Sequence, residues 1–174
     1  MLNTQDILET INMIREENLD IRTITMGISL YDCISEDADR LCQRVYDKIT
    51  KKAEHLVRTG EDISKQYGVP IVNKRISVTP VSMICGDNPL LIGQALDKAA
   101  RTVGVNFIGG FGALMHKGST RAEECLLEAM PEVFSKTERL CGSVNVGSTR
   151  SGINMDAVRK MGHVIKKTAE LTAD

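Results

Sequence analysis

Stretches with strand character alternate along this chain with helical stretches of ten or more residues. A connection that long does not close a hairpin. It carries the chain back across the sheet, so consecutive strands run parallel through right-handed crossovers. Four strands are expected. Residues 21–30 (IRTITMGISL) are rich in β-branched side chains, with Ile21, Thr23 and Thr25 on one face and Arg22, Ile24 and Met26 on the other. Residues 69–79 close at Pro80, residues 105–111 run into Gly109 and Gly110, and residues 140–146 form the fourth. The class is therefore α/β, with parallel strands alternating with helices; periodicity leaves undecided whether the sheet is open or part of a barrel.

Local signals place the helices. Thr4 caps a first one carrying Ile7, Leu8, Ile11 and Ile14 at helical spacing, and residues 18–20 stop it. Ser35 caps a long second helix with Glu36, Asp37 and Asp39 in its first turn. Its apolar stripe runs through Leu41, Val45, Ile49, Leu56 and Ile63; Gly60 is a point of interruption, and Gly68 ends it. Pro89 opens the next helix over residues 88–103, and Gly104 closes it. Ser119 or Thr120 caps another, with Pro131 as a kink or break. Asn154 caps the last, from Met155 to about Leu171, with Val158, Met161, Ile165 and Ala169 on the buried side. No repeat or linker divides the 174 residues, so a single domain is expected.

Composition excludes several classes of function. No apolar run reaches the ~20 residues of a membrane helix, and the N-terminus lacks a signal-peptide layout. A cytoplasmic protein without membrane contact is expected. Lys and Arg number 22 against 23 Asp and Glu, with no Trp, which argues against a nucleic-acid surface. The five cysteines form no C-x-x-C pair and no zinc spacing. They are expected to be reduced thiols, mostly small core residues, with no metal and no cofactor implied.

Ligands of parallel sheets bind beyond the carboxyl ends of the strands. That selects four loops: Tyr31, Asp32 and Cys33; Pro80, Val81 and Ser82; residues 109–118; and residues 147–154. In the fourth, GSTRSGIN, Gly147 permits a tight turn, Ser148 and Thr149 offer hydroxyls, and Arg150 offers a positive fork ahead of the helix capped by Asn154. This set suits a phosphate or carboxylate; the alternative is a capped turn with a solvated Arg150. The third loop, GGFGALMHKG, fits neither a dinucleotide fingerprint, which needs glycine where Met115 stands, nor a P-loop, since its order is Lys117, Gly118, Ser119. Its glycines instead allow close approach of a ligand or another chain segment, with His116 and Lys117 nearby. Asn73, Lys74 and Arg75 interrupt an apolar strand, as Arg22 does, and imply either a wet cavity or a solvated edge strand. Asp32 beside Cys33 is either a proton partner or an ordinary helix-start residue. No hydrolase-type triad assembles.

The phrases DIRTITMGISLYDC, VPIVNKRISVTPVS, VNFIGGFGALMHKG and CGSVNVGSTRSGINM together resemble the bacterial and archaeal group known as "PFL family protein", across essentially the whole chain. The resemblance implies the N-terminal portion of a pyruvate formate-lyase-like ten-stranded α/β barrel. It also implies a homodimer, and a small ACT-type regulatory protein as a partner. No radical-bearing Arg-Val-x-Gly-Tyr phrase is present, so radical chemistry does not follow from it. On the barrel analogy Val78, Val105, Phe107 and Ile108 would line the side facing the rest of the barrel. Two functions stay open: a protein that binds or converts a small anionic metabolite, with Arg22, Lys74 and Arg75 adding positive charge, and a regulatory or scaffold protein acting through dimerisation.

Overall fold

The structure is a computed structural model and describes residues 4–16 and 22–173. The helix stop at residues 18–20 and the position of Ile21 lie outside the described residues. Helix α1 (Thr4–Arg15) precedes strand β1 (Thr23–Ile28), helices α2 (Ala38–Lys52) and α3 (Leu56–Tyr67), and strand β2 (Asn73–Val78). Then come α4 (Pro89–Val103), β3 (Phe107–Leu114), α5 (Arg121–Ser135), β4 (Leu140–Asn145), a small hairpin of β5 (Gly147–Ser148) and β6 (Gly152–Ile153), and α6 (Met155–Thr172).

Strands β1 to β4 lie side by side in chain order, every pair parallel. Because the order never reverses, crossovers of one hand put the helices on one face. That face holds the core. Ile28, Ile76, Val78, Ile108 and Phe111 from the strands pack with Val45, Ile49, Ile92, Leu96, Leu126 and Met130 from the helices. Strand residues of opposite parity, including Thr25, Arg75, Ser77, Phe107 and Cys141, are exposed. Val78, Val105 and Ile108 therefore sit under the helices, and only Phe107 of the four expected on the far side is there. The uncovered face carries Thr25, Asn73, Arg75 and Ser77 beside Phe107 and Cys141.

Other boundaries moved for physical reasons. The long second helix is two helices. Ala53 closes α2 by donating its N–H to the Ile49 carbonyl, and the chain turns so that α3 can lie over β1 and β2. Gly60 does not interrupt α3 but lets it approach the sheet: a Cβ there would stand 2.8 Å from Ile24 Cδ1. Asp37, not Ser35, is the cap of α2, accepting from the Asp39 and Arg40 amides at 2.9 and 3.2 Å. Pro131 is buried within an unbroken α5, where the packing of its apolar neighbours outweighs the lost backbone bond. The third strand begins later and extends to Leu114, past its glycines. On α6 the buried stripe is displaced. Ala157 is buried and Met161 and Val164 half-buried, whereas Val158 and Ile165 are 38% and 63% exposed, because the helix packs mainly on α5 along one side.

Candidate functional site

The expected loops lie toward the carboxyl ends of the strands, but in the third, residues 109–114 are part of β3, because they pair with β4, and only residues 115–118 form a loop. After β1, a 3₁₀ turn (Tyr31–Cys33) holds Asp32 and Cys33. Lys48 donates to Asp32 and holds its carboxyl below the usual range. Cys33 is buried, and desolvation pushes its thiol up, so it stays protonated rather than serving as a thiolate. In the fourth loop, Ser148 and Ser151 hydroxyls bond each other at 2.6 Å inside the hairpin turn. Asn154 accepts from the Ala157 amide at 3.2 Å and donates to the Met115 carbonyl at 2.8 Å. Most of the polar groups of GSTRSGIN are thus engaged in building the turn. Thr149 and Arg150 are exposed beside the hairpin, and Gly147 is half-buried within it.

The third and fourth loops meet at the start of α6 around an open cleft of about 860 Å³. Its wall includes His116, Lys117, Ser119, Asn154, Arg159 and Lys160, while Arg150 is outside it. Lys160 and Ser119 both donate to Glu124, and these bonds hold the Glu124 carboxyl below its ordinary value.

A second hollow, of about 380 Å³, lies on the uncovered face of the sheet. The register aligns Gly27, Ser77, Gly109 and Cys141 in one row across all four strands. The row below it is Thr25, Arg75 and Phe107. The Arg75 guanidinium lies 5.5 Å from the centre of the Phe107 ring and forms no ion pair among the described residues. Small side chains in the upper row leave room above a floor that carries one positive charge. Of the three cations expected here, only Arg75 arrives. Lys74 points to the helix side, its Cγ 3.4 Å from where a Cβ on Gly60 would stand, and Arg22 shares the parity of Ile24.

A model of the family described as "Uncharacterised ACR (DUF711)" matches residues 12–174. The chain belongs to the DUF711 family. Among its curated relatives, the UPF0210 protein of Desulforamulus reducens is 57% identical over 100% of this chain and 39% of its own length. That of Clostridium botulinum (strain Alaska E43) is 58% identical over 99% of this chain and 39% of its own length. The UPF0210 protein of Acetivibrio thermocellus is 58% identical over 100% and 39%. The chain spans about two fifths of the length of the curated relatives it matches.

Several groups in this DUF711 chain escaped sequence reasoning. Asp97 is buried on α4; its carboxylate accepts from the Glu138 and Arg139 amides at 3.0 and 2.7 Å and from Arg101 at 2.8 Å, tying α4 to the start of β4. Its one signal was an acidic residue on the apolar side of a helix. The cysteines divide unevenly: Cys33 and Cys85 are core residues, Cys42 and Cys125 are half-buried, and Cys141 is exposed, against the expectation that most are buried. Among the described residues no helix is long and apolar enough to cross a membrane.

Proposed function

We propose that this chain forms part of the wall of an α/β barrel, of the ten-stranded pyruvate formate-lyase-like kind, whose polar lumen binds a small anionic metabolite with Arg75 as its charged anchor. The observation that carries this reading is the uncovered face. All-parallel sheets ordinarily have both faces covered. Strand β2 is paired on both sides, so its Asn73, Arg75 and Ser77 are not the outer row of a solvated edge strand. A wholly apolar second face would call for more helices; the hydroxyls of Thr25 and Ser77 and the charge of Arg75 suit a water-filled lumen. The longer relatives have the additional length with which such a sheet could close.

The test is a thermal-shift screen of the full-length protein against carboxylated and phosphorylated metabolites. A ligand at 100 times its Kd adds about 2.7 kcal/mol of stability. A shift lost in Arg75→Ala and partly kept in Arg75→Lys supports the reading. Shifts unaffected by Arg75→Ala count against it. A second reading, a regulatory or scaffold protein acting as a homodimer with a small ACT-type partner, draws on the exposed apolar residues Val158, Ile165 and Leu171 of α6. Dissociation of an oligomer by Ile165→Glu, with no metabolite shift, would favour it.

A further inference from the structure

We infer that the cleft between the third loop and α6 is a second anion site, taking the phosphate or carboxylate group of a small molecule on Lys117 and Arg159. It shares no lining residue with the hollow over Arg75. Its wall is pinned. The Met115 amide donates to the Asn145 carbonyl at 2.8 Å, the Asn154 side chain donates to the Met115 carbonyl at 2.8 Å, and the Asn154 amide donates to the Val146 carbonyl at 2.8 Å. The turn bearing His116 and Lys117 is therefore fixed against the start of α6.

Charge bookkeeping within the cleft selects the contacts. Lys160 is taken up by Glu124. Arg159 stands 3.9 Å from Asp156, a long and exposed pairing that competes weakly for its guanidinium. Lys117 is exposed and has no carboxylate partner among the described residues. Asn154 already satisfies the Ala157 amide, so recognition of negative charge falls to the side chains rather than to the helix end. A lysine point charge beside an arginine fork suits an oxyanion. The volume, about 860 Å³, accommodates an organic molecule carrying that group.

The experiment is calorimetric titration of the full chain with inorganic phosphate and, separately, with succinate at constant ionic strength. Saturable binding of either is expected. Lys117→Ala and Arg159→Ala should each weaken it by about tenfold, and the double variant should abolish it. The titrations are run in the Arg75→Ala background, which silences the lumen and so separates the two sites, and the surface control Lys52→Ala should leave binding unchanged. Preference for phosphate or for succinate tells which oxyanion the cleft favours. Absence of saturable binding to both anions overturns the proposal, as does undiminished binding in the double variant. Lys117 and Arg159 side chains are both exposed, so the variants should fold, and a retained melting temperature checks this.

Discussion

Ile108 and Phe111 lie three residues apart on one strand, yet both are fully buried on the helix side of the sheet. Strict alternation would put them on opposite faces. Between them the β3–β4 register shifts, and Gly110, at φ 115°, is the extra residue of a β-bulge. The bulge turns Phe111 inward, where its ring meets Phe134 edge-on at 5.8 Å. Beyond it the backbones close up: a Cβ on Gly112 would stand 2.0 Å from the Ser143 carbonyl oxygen.

Gly112→Ala should therefore push β3 and β4 apart and cost about 3 kcal/mol, as forced overpacking does. Gly27→Ala, where an added Cβ meets nothing within 4 Å, should change stability by less than about 1 kcal/mol. Urea denaturation of both variants checks the contrast. Equal losses would show that the close approach at Gly112 is not what constrains that position.

Asp97→Ala should cost about 3 kcal/mol, because it strands the Glu138 and Arg139 amides that the carboxylate now serves. Hydrogen exchange gives the specific signature. Those two amides should lose protection before the rest of β4 does, and unchanged exchange there would mean that α4 and β4 are tied by packing alone.

The class of fold was legible in the sequence because its signals are local. Gly68 and Gly104 end helices in the left-handed conformation, at φ 70° and 82°, Thr120 closes a capping box with Glu123, and Asn154 caps α6. The bulge was not legible, since it depends on Val78 and Ser143 contacts made across two neighbouring strands. Nor was the break after Ala53, because Leu56 continues the stripe in phase and only the docking of α3 over Ile24 demands the turn. Alternation separated Lys74 from Arg75, but which of them faced the helices depended on where the helices packed. The cleft joins Lys117 to Arg159 only through the pairing of β3 with β4, which no single segment encodes.

Acid should loosen α6 from α5. Glu124 accepts from Lys160 across the two helices, and its carboxyl is held below its ordinary value of 4.5 by that bond first and by Ser119 second. A carboxyl lowered in the folded state contributes stability that is present above its unfolded value and lost as pH falls through the folded one. The loss thus belongs below about pH 4.5. For a pair this exposed it amounts to about 0.5–1 kcal/mol. Lys160→Met should remove that part of the pH dependence, and an acid-unfolding profile identical to that of the unsubstituted protein would show that the pair contributes nothing.

If the uncovered face of the sheet becomes an enclosed lumen, as proposed, Cys141 reports on it directly. Its thiol is exposed on that face beside Gly109, whereas Cys85 is buried with its thiol pushed up to about 11, and so serves as an internal unreactive control. In the full-length assembled protein, peptide mapping after labelling should find Cys141 modified by a small methanethiosulfonate and spared by a maleimide carrying a long polyethylene-glycol chain. Equal modification by both reagents would show that the face stands open to bulk solvent, and would contradict the barrel.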